Sequence, residues 1–217
     1  MIASIIKTAD IAYLNDVLLD GEFLKPVAAK ELQKINLMHL RQWAVKNARY
    51  QFITTELVDF LKDAINGRTA LEIGAGQGDL GHALNIPMTD NYCQQLPEMK
   101  WYYETLQQAT TNPPAQVEKI DGVDAVRKYN PKVVIASWVT QKYHEGDESN
   151  GTGSNVYGPE EMDILTHDSV EMYIHIGNHN IHKEKRILKV NHKAHQFDWL
   201  VSRASAQELN TIWIWGK

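Results

Sequence analysis

The sequence predicts an α/β fold in three layers, with a seven-stranded, mostly parallel sheet at its centre. We expect a C-terminal antiparallel hairpin at the sheet edge and an N-terminal helical extension. Apolar segments of strand length alternate with helical segments, which is typical of a parallel sheet. The segment 132–137 contains a continuous apolar run, which favours a central strand covered on both faces. A turn with glycines at alternate positions, Gly74, Gly76 and Gly78, directly follows an apolar strand.

The part of the chain before about position 67 is predicted to be helical. Apolar residues recur at helical spacing around Leu14 and around Phe60, and Asn66-Gly67 is a typical helix end. We therefore expect residues 1–66 to form a helical extension packed on a core of residues 67–217. The predicted strands are 70–74, 86–88, 116–120, 132–137, 170–176, 197–202 and 211–215. The predicted connecting helices are 79–83, 97–110 and 123–129, and residues 205–209 are expected to connect the last two strands.

Composition limits the classes of function. The chain has 217 residues, 43% of them hydrophobic, which suits one globular domain with a sizeable core. A formal net charge of −5 gives no general attraction to polyanions, so a nucleic-acid partner is an alternative that is not favoured. Cys93 is the only cysteine, so no disulfide framework is expected and a cytoplasmic location is favoured. The apolar stretches are too short for a signal peptide or a membrane span, so no membrane partner is expected.

An acid, Glu72, lies inside the strand that precedes the glycine turn. Glycine has no Cβ, so it can take positive φ and let the backbone approach a ligand closely. The helix expected from Asp79 directs its unpaired N–H groups at the same place. The pattern E-x-G-x-G-x-G at 72–78 resembles motif I of class I S-adenosylmethionine-dependent methyltransferases, in which the acid lies near the amino-acid end of the cofactor. The sequences at 136–138 and 177–178 look like those of a group of small methyltransferase-like proteins.

Gly76, Gly78 and Gly81 also satisfy G-x-G-x-x-G, the fingerprint of dinucleotide-binding folds. Three features favour the methyltransferase interpretation over a nicotinamide or flavin enzyme. The acid at Glu72 lies inside the strand, and the turn comes about a third of the way along the chain. The remaining chain completes one sheet and leaves no room for a separate substrate domain.

The resemblance implies S-adenosyl-L-methionine as the cofactor and S-adenosyl-L-homocysteine as the product. Asp90 has the spacing of an acid that binds ribose hydroxyls, and Asp121 stands where the resembled family places an acid near the adenine. Each has a structural alternative, because Asp90 fits a turn or helix N-cap and Asp121 fits the cap of the following helix. The implied cofactor-binding residues are Glu72, Gly74, Ala75, Gly76, Gly78, Asp90, Asp121, Gly122 and Ser137.

The methyl acceptor is expected at the ends of the fourth and fifth strands of the sheet. Trp138 offers a flat apolar wall, Asn178 offers hydrogen bonds, and His179 offers a base near neutral pH. The long polar segment 141–159 is expected to lie over the same rim, where Tyr143 is a further candidate. We therefore predict Trp138, Tyr143, Asn178 and His179 as substrate residues, with His179 and Tyr143 as the catalytic pair.

Two signatures of nucleic-acid methyltransferases are missing: the sequence at 137–140 is not N/D-P-P-Y/F, and Cys93 has no Pro-Cys context. We therefore expect methyl transfer to an oxygen or nitrogen of an unidentified acceptor, with a small molecule or a protein preferred. A non-catalytic regulator that binds S-adenosylmethionine or a nucleotide, and an RNA or DNA methyltransferase, remain as alternatives. The histidine pairs at 179/182 and 192/195 lack a nearby cysteine, and no metal site is predicted from them.

Overall fold

The computed structural model of the protein describes residues 11–145, 147 and 154–217. Its strands are β1 (Leu19–Asp20), β2 (Phe23–Leu24), β3 (Ala70–Ile73), β4 (Met88–Asp90), β5 (Val117–Lys119), β6 (Val133–Ser137), β7 (Gln141–Lys142), β8 (Ser154–Asn155), β9 (Met172–Asn178), β10 (Lys193–His195) and β11 (Asn210–Gly216). Its helices are α1 (Leu14–Leu18), α2 (Ala29–Leu32), α3 (Leu37–Lys46), α4 (Thr55–Ile65), α5 (Asp79–Leu84), α6 (Pro97–Thr105), α7 (Gly122–Tyr129), α8 (Glu161–Thr166) and α9 (His179–His182).

Seven strands form the central sheet, in the order β10-β11-β9-β6-β3-β4-β5. The strands from β9 to β5 are parallel to one another, whereas β11 runs antiparallel to both β9 and β10. The predicted fold class, a mostly parallel seven-stranded sheet with antiparallel pairing at the C-terminal end, is confirmed. From β3 the chain proceeds outward through β4 to β5, and it then returns to place β6 on the other side of β3. Such a switch point opens a crevice at the carboxyl ends of the strands.

Strand β6 illustrates the three layers. Successive side chains of a strand point to opposite faces of a sheet. Val133 and Ile135 accordingly pack into one core with the apolar residues of α4, while Val134 and Ala136 pack into a second core with α7 and α8. All four side chains are fully buried, as predicted for a central strand.

The C-terminal hairpin differs from the prediction in its position. The penultimate strand is β10, and the segment 197–202, predicted as a strand, lies outside the sheet. The rings of Phe197 and Trp199 stack on each other and contact Phe60 of α4, so these apolar residues cover a helix and do not join the sheet. The last strand, β11, lies between β9 and β10, so that β10 forms the sheet edge.

The N-terminal part also contains a feature that the sequence analysis missed. Strands β1 and β2 form a short antiparallel hairpin around Gly21, which has φ of +60°, so the prediction of an entirely helical segment is wrong here. Trp43 and Phe52 share one continuous core with Ile174 and Ile212 of the sheet. This shared core joins residues 1–66 to residues 67–217, and the division of the chain into an extension and a core at that point stays a prediction.

Among the described residues, the helices are all too short or too polar to cross a membrane.

The N-terminal cap of helix α4 can be tested directly. The buried Thr54 hydroxyl accepts a hydrogen bond from the Leu57 N–H at 3.1 Å and so caps the helix. We expect Thr54→Ala to lower the free energy of unfolding by about 1–2 kcal/mol. The neighbouring Thr55 is exposed, and Thr55→Ala should change stability by less than about 0.5 kcal/mol. Denaturant unfolding checks both values, and equal losses for the two variants would contradict the assigned cap.

Candidate functional site

A cavity of about 680 Å³ opens at the carboxyl ends of β3, β4 and β6. Pockets that hold cofactors and small ligands have volumes of roughly 300–1,000 Å³. Most of the predicted cofactor-binding residues line it: Glu72, Gly74, Ala75, Gly76, Asp90, Asp121, Gly122 and Ser137. Gly78 does not line the cavity: it stands at the N-cap of α5 with its φ at +77°, and a Cβ there would meet Val117 and Met88.

The glycine turn takes the backbone conformation that its sequence predicts. Gly74 and Gly76 have φ of +58° and +54°. A Cβ on Gly74 would lie 2.5 Å from a methyl carbon of Val139, and one on Gly76 would lie 3.1 Å from the Thr111 methyl carbon. The turn therefore packs against Val139 and Thr111, so that a side chain at position 74 would clash and one at position 76 would require Thr111 to shift.

Glu72 is a buried carboxylate in the wall of this cavity, with 2% of its surface exposed. Its Oε2 accepts a hydrogen bond from the Gly81 N–H at 2.7 Å, which ties β3 to α5. Burial raises the pKa of Glu72 to about 8, and the negative charges of Asp79 and Asp90 act in the same direction against the opposing Gly81 bond. A cation placed in this cavity would favour the ionised form of Glu72.

Asp90 ends β4 and holds the glycine turn. Its Oδ2 accepts the Gly76 N–H at 2.9 Å, and its Oδ1 accepts the Tyr92 N–H at 2.6 Å. Burial raises the pKa of Asp90, although both hydrogen bonds oppose that shift. A carboxylate has about four lone-pair sites, so Asp90 can still accept hydrogen bonds from a ligand.

Asp121 caps a helix and also lies at the cavity, as the two alternatives in the sequence analysis require. Its Oδ1 accepts the Val123 N–H at 2.9 Å and caps α7, and the residue also lines the cavity. The cap is therefore observed, while a role for Asp121 in binding an adenine ring stays a prediction.

The sequence analysis missed an ion pair between Arg49 and Asp79. Arg49 Nε lies 3.0 Å from Asp79 Oδ2, and both side chains are largely buried at the cavity wall. Asp79 Oδ1 also accepts the Leu24 N–H at 2.8 Å, and Arg49 Nη2 donates to the Glu22 carbonyl at 2.7 Å. Burial lowers the pKa of Arg49 and raises that of Asp79. Asp79 directly follows the glycine motif, but no pattern in the sequence identifies Arg49 as its partner.

Trp138 lies where the acceptor wall was predicted, at the end of β6. It lines the cavity and has φ of +60°, which is rare for a bulky residue. Its N–H donates to the Ile176 carbonyl at 2.8 Å, and its indole Nε1 donates to Gln51 Oε1 at 3.2 Å. Neighbouring strands and the N-terminal part thus hold this strained residue in place, and strain of this kind is common at functional sites.

Asn178 lines the cavity, but its side chain is engaged within the protein. Its Oδ1 caps α9 by accepting the Asn180 N–H at 3.1 Å. Its Nδ2 donates to the Ala206 carbonyl at 2.8 Å and to Asn210 Oδ1 at 3.0 Å. Asn178 is 1% exposed, so its amide fixes the turn from β9 to α9 and is not free to bind an acceptor as the sequence analysis expected.

The predicted catalytic pair is not brought to the cavity. His179 is exposed on α9, and neither it nor Tyr143 lines the cavity wall. The segment 141–159, which was expected over the rim, is described only in part, since 146 and 148–153 lie outside the described residues. Its described part includes the paired strands β7 and β8, and Tyr157 contributes to the cavity lining.

The histidine at the cavity is His182, one turn beyond His179. Its ring contacts Trp138 edge to face with centroids 5.5 Å apart, and its Nδ1 accepts the Asn178 N–H at 3.1 Å. Burial, aided by the charge of Lys185, lowers the pKa of His182 to about 3. This histidine is therefore neutral at physiological pH and a weak base. Helical spacing from Asn178 would have indicated it, because residues four apart share one helix face.

No three histidine, cysteine, aspartate or glutamate side chains converge as metal ligands within the described residues.

The strand order, with only β11 reversed, is the arrangement typical of class I methyltransferases. The glycine turn and its flanking acids stand at the point of that fold where the resemblance places the cofactor. The protein therefore has the Rossmann-like methyltransferase fold.

Three solved structures show distant similarity to it. A DNMT2 mutant from Spodoptera frugiperda is 13% identical over 68% of this chain and 49% of its own, with a TM-score of 0.36. Thermoplasma acidophilum 1320 is 14% identical over 74% and 84% of the two chains, with a TM-score of 0.34. A Staphylococcus aureus protein, provisionally described as a caffeoyl-CoA O-methyltransferase, is 13% identical over 95% and 99%, with a TM-score of 0.40.

The present chain thus spans about half the length of the DNMT2 chain. No protein-family model matches the sequence. The comparison with curated protein sequences also finds no match. The fold assignment rests on strand order and direction, since similarities this distant carry no information about activity.

The raised pKa of Glu72 gives a testable pH dependence of stability. Between its ordinary value of 4.5 and about 8, the folded chain keeps a proton that the unfolded chain has released. The free energy of unfolding should therefore fall, by about 1.4 kcal/mol per pH unit from this group. Glu72→Gln removes the titration, so the variant should gain stability relative to the parent as pH rises towards 8. Denaturant unfolding at several pH values measures this difference, and a difference that is constant with pH would contradict the assignment.

Proposed function

We propose that the protein is an S-adenosylmethionine-dependent methyltransferase that transfers a methyl group to an oxygen or nitrogen atom of a small-molecule or protein acceptor. The observation that carries the proposal is the position of Glu72, Asp90 and Asp121 around one glycine turn. The three acids come from three adjacent parallel strands or the turns that follow them, and all line one cavity. S-adenosyl-L-homocysteine would be the product.

The chemistry of the cavity supports this cofactor. S-adenosylmethionine carries a positive sulfonium and a positive amino group, and positive charge beside Glu72 would favour its ionised form, which burial otherwise disfavours. Asp90 has acceptor capacity for a vicinal diol, which suits a ribose. The close packing behind Gly74 and Gly76 keeps both positions free of side chains, so that the backbone can approach a bound nucleoside.

When bound, the cofactor supplies an already activated methyl group to an attacking oxygen or nitrogen. The chain's own residues then need to position the acceptor and exclude water. Trp138 and Ser137 line the acceptor side of the cavity at the end of β6. His182 is held neutral by burial and is a weak base. An amine with a free lone pair, or an oxygen that is already ionised, would need no protein base, and such acceptors suit this site best.

A non-catalytic regulator that binds the same cofactor is the second candidate, and the weak basicity of His182 favours it. The two proposals predict equal cofactor binding but differ in methyl transfer. Incubation with methyl-labelled S-adenosylmethionine and a panel of amines, phenols and proteins separates them. Transfer of label to any acceptor, lost in Trp138→Ala while cofactor binding persists, would support the enzyme. Cofactor binding without transfer across the panel would support the regulator.

The glycine turn provides the sharpest test of cofactor binding. We expect Gly76→Val to weaken the binding of S-adenosylhomocysteine by at least about a hundredfold, because valine at φ of +54° would strain the turn and press against Thr111, which also lines the cavity. Gly67→Val is the matched control, since Gly67 also has positive φ, at +72°, but has open space around it and does not line the cavity. Titration calorimetry measures both affinities.

The control variant should bind S-adenosylhomocysteine like the parent. Unchanged affinity in Gly76→Val, in a protein whose circular dichroism is that of the parent, would remove the glycine turn from the proposed site.

A further inference from the structure

The cavity carries charges of both signs. Its acids cluster around the glycine turn, whereas two arginines, Arg41 and Arg203, line it from other elements. Arg41 belongs to α3, and Arg203 belongs to the connection between β10 and β11. The proposed cofactor site uses neither residue.

These two guanidinium groups lack carboxylate partners. Arg49 of the same cavity pairs with Asp79, but no carboxylate oxygen of the described residues lies within 4.0 Å of Arg41 or Arg203. Arg41 Nε donates to the Arg203 carbonyl at 3.1 Å, which brings the two residues together. Arg203 Nη2 donates to the neutral amide of Gln108 at 3.1 Å. Its Nη1 is buried and has no hydrogen-bond partner among the described residues.

Aromatic side chains hold Arg203 in place and add a further donor. The Arg203 guanidinium carbon lies 3.6 Å from the centroid of the Tyr50 ring, which is a cation–π contact. Tyr50 donates its hydroxyl hydrogen to the Tyr103 hydroxyl at 3.2 Å and accepts from the Gln94 amide at 3.3 Å. As the acceptor of the bond from Tyr50, the Tyr103 hydroxyl keeps its own hydrogen to donate, and Tyr103 lines the cavity. Burial raises the pKa of Tyr103, so this group stays a neutral donor.

We propose that Arg41, Arg203 and Tyr103 bind the carboxylate or phosphate group of an anionic methyl acceptor, whose planar part lies against Trp138. Guanidinium groups recognise planar oxyanions with two donors at once, and they are most effective when partly buried. The Tyr50 ring lies 6.0 Å from the Trp138 ring, so the anion site adjoins the flat wall at the end of β6. This inference rests on the proposed function in taking the ligand to be the methyl acceptor.

The test uses three probes that share one ring: benzoate, phenyl phosphate and the neutral benzamide. Their affinities are measured by calorimetry with and without saturating S-adenosylhomocysteine. At least one anion should bind the parent protein about tenfold or more tightly than benzamide, and the tighter of the two identifies the oxyanion. Arg203→Gln and Arg41→Gln should each remove most of that preference while leaving S-adenosylhomocysteine affinity unchanged. Arg127→Gln, which removes an exposed arginine of α7 outside the cavity, should keep it.

Benzamide binding as tightly as both anions would overturn the proposal, as would an anion preference that survives in both cavity variants. Arg41→Gln decides the matter if Arg203→Gln fails to fold. A short oligothymidylate that binds in an Arg203-dependent way, with no preference among the small probes, would overturn it in favour of a nucleic-acid acceptor. Failure of the parent protein to bind S-adenosylhomocysteine would instead contradict the proposed function. The anion preference measured without that ligand would still test the anion site by itself.

Discussion

The hydrogen bond from the Gly81 N–H to the buried carboxylate of Glu72 is the constraint around which the site is organised. It joins the central strand β3 to helix α5 across the glycine turn, and Asp90 holds the same turn from β4 through the Gly76 N–H. Two carboxylates thus fix the backbone between strand and helix before any ligand binds. Burial raises the pKa of both groups, and a cation that enters the pocket would favour their ionised forms.

The glycine turn is also supported from the side of β6. The Val139 side chain lies against Gly74, and the Val139 carbonyl accepts a hydrogen bond from Lys185 Nζ at 2.7 Å. Lys185 is itself fully buried and pairs with Glu161 Oε1 at 2.9 Å. Removing one partner of such a pair leaves an uncompensated buried charge, which is strongly destabilising. The segment that follows β6 is therefore fixed at its start, where it adjoins both the glycine turn and Trp138.

The N-terminal part completes the cavity. Arg49 pairs with Asp79 at the start of α5, and Gln51 accepts the hydrogen bond of the Trp138 indole. Two residues that precede the glycine motif in the chain thus hold Asp79 and Trp138, which line different parts of the cavity. The apolar core likewise runs without a break from the N-terminal helices into the sheet.

The sequence predicted the parts of the molecule whose signals are local. The glycine turn, its acids and the apolar run of β6 each depend on a few neighbouring residues, and these predictions of structure are confirmed. The segment 197–202 was misplaced because its apolar residues have the composition of a strand, whereas tertiary contacts with Phe60 and a backbone hydrogen bond to Phe52 direct it elsewhere. His179 was preferred over His182 because the sequence analysis did not predict α9, the helix whose four-residue spacing brings His182 back beside Asn178. The contacts of Arg49 and Arg203 join segments far apart in the chain, so no local pattern identifies them.

Equilibrium dialysis with labelled S-adenosylmethionine tests the central claim most directly. Saturable binding of one molecule per chain, displaced by S-adenosylhomocysteine, is the predicted result. The absence of saturable binding to the folded protein at cofactor concentrations up to about 1 mM, where even a ligand held by only about 4 kcal/mol would be detected, would contradict the claim that this cavity is a cofactor site.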